Sequence, residues 1–154
     1  MKNTTLCYIE KDGKYLMLHR IKKENDLNEG KWIGVGGKFE PGETAEECLL
    51  REVYEETGVT LTSYRYRGII KFLSDKWEDE VIYLYTADAY EGEISMECNE
   101  GVLAWIDKDK ILDLNLWEGD SIFLKELLVD RDVSITLHYD EEDKLKEVIN
   151  DNCH

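Results

Sequence analysis

The hydrophobic positions of the chain form short strand-like runs near its start and then follow helical spacing. The runs TTLCYIE and KYLMLHR are rich in strand-forming residues, and Asp12-Gly13 between them is a strong hairpin signal. From residue 44 to 57 the pattern is helical, with Thr44 and Glu47 spaced as a capping box and Gly58 placed to end the helix. We therefore predict an opening β-hairpin and a capped helix near 44–57.

The rest of the pattern predicts more strands than helices. Residues 31–40, KWIGVGGKFE, indicate a strand interrupted by glycines, which would allow close approach by a ligand or another chain. Further strand candidates are LTSYRYRGIIKFL, DEVIYLYTADAY and GVLAWID, and a second helix is predicted from about Gly119 through SIFLKELL. VSITLHYD and KLKEVIN predict a C-terminal hairpin within 132–150. The chain is interpreted as one α+β domain, residues 1–154, with a mixed sheet.

The first helix carries acids where apolar residues are expected. The face that begins with Cys48 and Leu49 continues at helical spacing into Glu52 and Glu56, and Glu55 lies beside these two acids. One interpretation is an ordinary solvated face. The other is a bound divalent cation, because ions such as Mg²⁺ take carboxylate oxygens and substrate phosphates as ligands. Mutual repulsion of the acids favours the second interpretation, which predicts chemistry on a phosphate ester or anhydride.

The segment from Gly37 to Val59 resembles a complete Nudix box. Gly37 is followed by five residues, Glu43, seven residues and then REVYEETGV. The resemblance implies a Nudix hydrolase, with a mixed β-sheet sandwiched between α-helices, that cleaves a nucleoside diphosphate linked to another group. It implies Mg²⁺ as cofactor, with Mn²⁺ as a substitute. By this resemblance the catalytic and metal-binding residues are Glu52, Glu55 and Glu56, with the Gly36 carbonyl as a further metal ligand.

Three more residues of this segment receive roles. By the resemblance, Glu43 and Arg51 pair and orient the catalytic carboxylates. An arginine fork is suited to hold carboxylates in one geometry, although an ordinary surface ion pair would also explain Arg51. Lys38 follows the glycines and could meet a substrate phosphate, or it could be a solvated lysine.

Sequences flanking the box are similar to MutT-type 8-oxo-dGTP diphosphatases. The similar stretches are EGKWIGVGGK, CNEGVLAW and LNLWEGD, within a resemblance that runs from about residue 5 to residue 128. By this similarity Trp117 stacks on the purine, Asp120 accepts hydrogen bonds from the purine edge, and Glu100 adds to the metal or general-base site. Trp117 could instead be a core anchor, and Asp120 a helix N-cap.

Lys23 and Ile33 complete the predicted substrate-binding set. Animal members of this group carry asparagine where Ile33 stands and a second aspartate where Gly119 stands. The two departures indicate that base recognition is looser or different in this chain.

Composition and charge narrow the class of partner. The chain has 154 residues and a formal net charge of -16, from 35 acids against 19 bases, so duplex nucleic acid and anionic membranes would be repelled. No run approaches the length needed to span a bilayer. The four cysteines form no zinc-type spacing, and the first residues show no signal-peptide run, so we expect a cytoplasmic protein. The expected partner is a small nucleotide, and the oligomeric state stays open.

Together these patterns predict a Mg²⁺-dependent nucleoside triphosphate pyrophosphohydrolase that sanitises the nucleotide pool. The favoured reaction converts 8-oxo-dGTP to 8-oxo-dGMP and pyrophosphate. The alternatives are a broad-specificity nucleoside triphosphate or ADP-ribose-type pyrophosphatase and, in a different class, a nucleotide sensor that does not cut its ligand.

Overall fold

The structure, a computed structural model, describes residues 1–22 and 26–151, which form nine strands, two α-helices and one 3₁₀ helix. In chain order the elements are β1 (Lys2–Lys11), β2 (Lys14–His19), β3 (Trp32–Ile33), α1 (Ala45–Thr57), β4 (Thr60–Ser74), β5 (Glu80–Glu91), β6 (Glu97–Cys98), β7 (Gly101–Asp107), the 3₁₀ helix (Lys108–Asp113), α2 (Asp120–Leu128), β8 (Val133–Tyr139) and β9 (Leu145–Asn150).

The strands of this part of the chain form one mixed sheet. Their order is β6-β7-β2-β1-β5-β4-β8-β9, with β3 paired to β2. The pairings of β1 with β5 and of β4 with β8 are parallel, and the other pairings are antiparallel. The predicted mixed sheet and the C-terminal hairpin, formed by β8 and β9, are confirmed.

The opening hairpin follows from its two turn residues. Glu10 lies opposite Tyr15 and Lys11 opposite Lys14, which leaves Asp12 and Gly13 as a two-residue loop. Both loop residues have positive φ, 52° and 77°, as a type I′ turn requires. The hairpin read from Asp12-Gly13 is therefore confirmed, and β1 runs into the centre of the sheet.

The sheet buries a hydrophobic cluster on each face. Successive residues of β1 alternate between these clusters, with Cys7 and Ile9 on the α1 side and Tyr8 on the α2 side. Leu49 and Val53 of α1 and a buried apolar stripe of α2 complete the two layers. The α-helices thus sandwich the sheet as expected, and no α-helix in the described residues is long and apolar enough to cross a membrane.

The strand predicted over residues 31–40 is wrong in extent. Only Trp32–Ile33 forms a strand, and beyond it isolated bridges join Val35 to Cys7 and Lys38 to Thr4. The segment moves from β2 onto β1 at the glycines, where a side chain on Gly36 would collide with the β1 backbone. Close backbone approach, which the glycines permit, therefore replaces a regular ladder. Residues 34–39, which we call the glycine segment, form one wall of the site described next.

Candidate active site

The capping box fixes the start of α1. The Thr44 side chain accepts a hydrogen bond from the Glu47 backbone N–H at 3.1 Å, and the Glu47 carboxylate accepts one from the Thr44 N–H at 3.0 Å. At the other end Gly58 has φ 84° and donates its N–H to the Tyr54 carbonyl. Both predicted caps are confirmed, and they set the helix bounds that turn the acids of α1 toward the glycine segment.

Of the three α1 acids predicted to bind metal, two face the glycine segment and the third lies outward. Glu56 is 7% exposed, and its Oε1 accepts a hydrogen bond from the Gly36 N–H at 3.0 Å. Glu52 lies against Gly37 so closely that a Cβ there would stand 2.5 Å from the Glu52 carboxyl carbon. The Glu55 side chain is 54% exposed. An ordinary solvated face therefore does not describe Glu52 and Glu56.

Arg51 ties the acids of α1 to the glycine segment. Its Nε and Nη2 donate to the two carboxylate oxygens of Glu43 at 2.7 and 2.9 Å, while Nη1 donates to Glu52 at 2.8 Å and to Glu55 at 3.1 Å. Nη2 also donates to the Lys38 carbonyl at 3.0 Å. The structure thus brings together Glu43 and Arg51 as predicted, in a network wider than a surface ion pair.

The pKa values of these carboxyl groups are shifted in opposite directions. Hydrogen bonds from Arg51 lower the pKa of Glu43 to about 2. Burial raises the pKa of Glu56 well above its ordinary value, and the charges of Glu100 and Glu52 raise it further. Burial also raises the pKa of Glu52, against an opposing effect of Arg51. Negative charge is therefore costly at Glu52 and Glu56, and a cation beside them would relieve that cost.

The residues present fit a hard divalent cation. Glu56 Oε2 is buried without a hydrogen-bond partner in the described part of the chain. The nearby atoms that could ligate a metal, on Glu52 and the glycine backbone, are oxygens. In residues 1–22 and 26–151, no three acidic, histidine or cysteine side chains are already arranged to hold a metal ion. Mg²⁺ does not require such a cage, because it commonly takes one or two carboxylates together with waters and substrate phosphates.

Glu100 approaches this site from the loop between β6 and β7. Its carboxylate accepts a hydrogen bond from Arg20 Nη1 at 2.7 Å, and Arg20 also pairs with Asp26 at 2.8 Å. Glu100 raises the pKa values of both Glu52 and Glu56, so its charge acts on the α1 acids. Glu100 therefore lies at the same cavity as Glu52, while its metal or general-base role stays a prediction, and the structure adds Arg20, which the sequence had not singled out.

One cavity of about 340 Å³ joins the acids to an aromatic chamber. Its wall includes the Glu52 and Glu100 side chains at one end and Trp117, Asp120 and Phe123 at the other. The remaining lining residues are Lys2, Thr4, Thr5, Leu6, Arg20, Asp26, Leu27, Asn28, Ile33, Gly34, Gly36, Gly37, Lys38, Phe72, Glu80 and Ile82. A single ligand of nucleotide size could contact both ends.

Trp117 is a wall of this cavity as well as a core residue. It is 5% exposed and packs edge-on against Phe72 and Tyr139, with ring centroids 5.6 and 4.9 Å away. Its indole N–H donates to Asn28 Oδ1 at 2.8 Å. The indole is thereby fixed in orientation, so the core-anchor and ligand-wall interpretations are compatible.

Asp120 lies in the same chamber and is not a helix N-cap. Gly119 occupies the N-cap of α2, and Asp120 is the first helical residue. Burial raises the pKa of Asp120 to about 8, with the charge of Glu80 adding to the effect and Lys31 opposing it. The carboxyl is therefore mainly protonated at neutral pH, so it can donate a hydrogen bond as well as accept one.

The other predicted substrate-binding residues divide into three cases. Lys38 is exposed, and its side chain lines the cavity at the end of the glycine segment. Ile33 lines the cavity from β3 and places an apolar surface there. Lys23 lies outside the described residues.

A buried acid that the sequence analysis missed, Glu80, also lines the cavity. Its place in the strand pattern carries the information, because Glu80, Ile82 and Leu84 share one face of β5 by the two-residue period. An acid thus stands at a core-facing position of a strand, as Glu52 and Glu56 do on the helix. A search of β5 for acids at core-facing positions, as made for the helix, would have found Glu80.

We predict that Arg51→Lys lowers kcat by about 10- to 100-fold, the range typical when an outer partner of catalytic ligands is lost. Lysine supplies a point charge and cannot reproduce the two-pronged contact with Glu43 or the bond to Lys38. Steady-state kinetics over a Mg²⁺ titration measure the effect. Arg65→Lys, on the exposed surface of β4, is the matched control, and equal kcat values in the two variants would show that Arg51 is only a surface ion pair.

The Arg51 variant also carries a pH signature. The folded-state pKa of Glu43, about 2, lies below its ordinary 4.5, so the pair contributes stability above pH 4.5 that is lost as the pH falls toward 2. Melting temperatures measured over this window should fall more steeply for the wild type than for Arg51→Lys.

Comparison with known proteins agrees with this geometry. The chain matches the family model for the NUDIX domain over residues 2–127. It is 34% identical over 128 residues to an oxidized purine nucleoside triphosphate hydrolase of Danio rerio, covering 82% of this chain and 80% of that protein. It is 31% identical over 140 residues to the nucleoside triphosphatase NudI of Escherichia coli O17:K52:H18, covering 82% and 99%.

The structural comparison gives the same family. The crystal structure of a MutT protein from Bacillus halodurans matches with a TM-score of 0.88 and 29% identity, covering 98% of both chains. The predicted Nudix fold and the MutT-like relationship are therefore confirmed. The chain belongs to the NUDIX domain family and is a Nudix hydrolase of the MutT type.

Proposed function

We propose that this protein is a Mg²⁺-dependent nucleoside triphosphate pyrophosphohydrolase that prefers oxidised purine nucleotides, 8-oxo-dGTP above all. The observation that carries the proposal is the single cavity lined by Glu52 at one end and by Trp117 and Asp120 at the other. A triphosphate at the acidic end and a base at the aromatic end would fit one continuous site. The relative named as an oxidized purine nucleoside triphosphate hydrolase supports the same substrate class.

At the acidic end, the proposed roles follow the resemblance to the Nudix box. Glu52, Glu55 and Glu56, with the Gly36 carbonyl and Glu100, would hold the divalent cation. Nudix hydrolases generally use such a cation, which neutralises phosphate charge and lowers the pKa of an attacking water. Arg51 and Glu43 do not need to touch substrate, because their hydrogen bonds hold the acids of α1 in place.

Glu52 and Glu56 could also act as bases toward the attacking water. Burial raises the pKa values of Glu52 and Glu56, so each group, when ionised, is a stronger base toward a water than an exposed glutamate. Lys38 and Arg20 line the same cavity and could pair with the phosphate oxygens. Water attack at an internal phosphorus would release a monophosphate and pyrophosphate.

At the aromatic end, Trp117 supplies a rigid face for stacking and Asp120 supplies selection. Stacking tolerates any base, because every base has a π-face. A partly buried carboxyl selects by hydrogen bonding, since a base that leaves it unpaired is penalised. Asp120 would therefore distinguish one base from another, whereas the residues around the phosphates would bind any nucleoside triphosphate.

A broader pyrophosphatase is the second candidate. The relative named nucleoside triphosphatase NudI favours it, and so does Ile33, an apolar residue in the cavity wall that makes no directional bond to a base. A nucleotide sensor without activity is disfavoured, because Arg51 holds Glu43, Glu52 and Glu55 in an intact network.

A substrate panel separates these candidates. Initial rates with Mg²⁺ are compared for 8-oxo-dGTP, dGTP, 2-oxo-dATP and ADP-ribose, with release of monophosphate and pyrophosphate as the readout. We expect the highest kcat/KM for an oxidised purine triphosphate. Equal values across the triphosphates would favour the broad enzyme, a preference for ADP-ribose would overturn the triphosphate assignment, and binding without turnover would identify a sensor.

We also predict that Mg²⁺ raises the melting temperature of the substrate-free protein. A ligand that binds only the folded state stabilises it by about 2.7 kcal/mol at 100 times its Kd. The Glu52→Gln variant should show a smaller shift, because it removes a carboxylate that faces the glycine segment. Scanning calorimetry with and without millimolar Mg²⁺ measures both, and an unshifted wild type would mean that metal enters only with substrate.

A further inference from the structure

The wall of the cavity contains a buried acid that the proposed roles do not use. Glu80 is 8% exposed at the start of β5, on the sheet face it shares with Ile82 and Leu84. Its Oε2 accepts a hydrogen bond from the Thr4 hydroxyl at 2.8 Å, and within residues 1–22 and 26–151 it forms no ion pair. Burying a carboxylate for one bond to a neutral hydroxyl is costly, so core packing is a poor explanation for an acid here.

Glu80 lines the same cavity as Asp120, although one comes from the sheet and the other from α2. Asp120 begins α2 and Glu80 begins β5, and Phe72 and Trp117 line the same cavity. The charge of Glu80 raises the pKa of Asp120, an effect smaller than those of burial and of Lys31, and both side chains line the same cavity. The remaining charges that act on Glu80 are those of Lys2 and Glu78, of opposite sign.

The two carboxyl groups have complementary hydrogen-bonding capacity. A carboxylate offers about four lone-pair sites, and Thr4 uses one of those on Glu80. Asp120, when protonated, adds a donor. The guanine-type edge, in oxidised and unoxidised forms alike, presents a carbonyl acceptor, a ring N–H and an amino group. Hypoxanthine presents the first two groups and lacks the amino group.

We propose that Glu80 is a specificity-determining residue that accepts a hydrogen bond from the exocyclic amino group of a purine. The inference rests on the proposed function in one respect, the assignment of the aromatic end of the cavity to the base. It goes beyond that function by naming the chemical group that is read. The cavity then selects guanine-type bases over hypoxanthine-type bases through β5, a strand outside the Nudix box.

The test compares the binding of dGMP and dIMP, which differ only in the amino group, by calorimetry on the wild type and on Glu80→Gln. The amide keeps an acceptor for Thr4 but replaces a carboxylate oxygen with a donor that would face the amino group. We expect the wild type to bind dGMP about tenfold or more tightly than dIMP, and Glu80→Gln to reduce this ratio to near one. An unchanged ratio in Glu80→Gln would overturn the inference.

Glu78→Gln is the matched control, because it removes the same charge two residues away at an exposed position and should keep the wild-type ratio. If Glu80→Gln does not fold, Thr4→Val provides a second test. It leaves the carboxylate in place without its anchor and should also lower the ratio; an unchanged ratio in the folded Thr4→Val protein would then count against the inference.

The outcomes distinguish this inference from the proposed reaction. If no triphosphate is cleaved, the reaction fails, yet monophosphate binding still decides the role of Glu80. If triphosphates are cleaved and the dGMP to dIMP ratio is the same in Glu80→Gln, only the role of Glu80 fails. If the wild type binds neither monophosphate, the base assignment of the cavity fails, and the role of Glu80 fails with it.

Discussion

Glu56→Gln should lower kcat by at least about a hundredfold while the protein stays folded. The carboxylate faces the glycine segment with one oxygen bonded to the Gly36 N–H and the other buried without a partner. Its proposed work is charge neutralisation in the transition state, where several kcal/mol are available, and each 1.36 kcal/mol corresponds to tenfold in rate. Metal-dependent steady-state rates measure the loss.

The fold should survive this change for a structural reason. Glutamine keeps an oxygen that can accept the Gly36 N–H, and it removes a buried charge whose burial is unfavourable. The melting temperature without metal should therefore be equal to or higher than that of the wild type. Glu46→Gln, at an exposed position of the same helix, is the control and should retain wild-type kcat. A wild-type kcat in Glu56→Gln would remove Glu56 from the catalytic site.

Asp120→Ala should reduce kcat/KM for the preferred oxidised purine by roughly ten- to a hundredfold, with a much smaller effect on pyrimidine triphosphates. A hydrogen bond from the protonated Asp120 carboxyl contributes about 0.5 to 1.5 kcal/mol, and a polar edge of the base left unpaired in the alanine variant costs about 1 to 3 kcal/mol more. Metal-dependent turnover should persist, because Asp120 lies at the aromatic end of the cavity. An equal loss on every substrate together with a lower melting temperature would give Asp120 a purely structural role.

The pH dependence sharpens this prediction. The folded-state pKa of Asp120, about 8, lies above its ordinary 3.8, so the native state retains a proton that the unfolded state releases. Its contribution to stability is complete below pH 3.8 and declines as the pH rises toward 8. Asp120→Asn should therefore stabilise the protein at pH 8, because the amide has no charge to bury there. In the wild type we expect kcat/KM for purines to fall above pH 8, because Asp120 loses the proton that it donates to the base. This fall should be absent from Asp120→Asn.

The local parts of this structure were predictable because their causes are local. The opening hairpin depends on two turn residues with positive φ, and α1 depends on Thr44, Glu47 and Gly58. The pairing of Glu43 with Arg51 followed from the resemblance of the box to the family. Sequence spacing alone gave the face of the helix that carries the acids, since side-chain direction in a helix follows from its period.

The parts that were missed depend on contacts between distant segments. The glycine segment has a strand-like composition, yet its pairing changes from β2 to β1, and only the fold shows where that occurs. Glu80 and Thr4 are 76 positions apart in the chain and meet through the parallel pairing of β1 with β5. The raised pKa of Asp120 also depends on burial that no local pattern reports.

Identification of the products formed in ¹⁸O-labelled water tests the central claim most directly. Wild-type protein is incubated with 8-oxo-dGTP and Mg²⁺, and the products are analysed by ³¹P NMR and mass spectrometry. The proposed reaction predicts 8-oxo-dGMP and pyrophosphate in equal amounts, with one labelled oxygen per turnover in one of these two products, and no turnover once the metal is chelated. Release of 8-oxo-dGDP and orthophosphate, or turnover that persists in the presence of chelator, would contradict it.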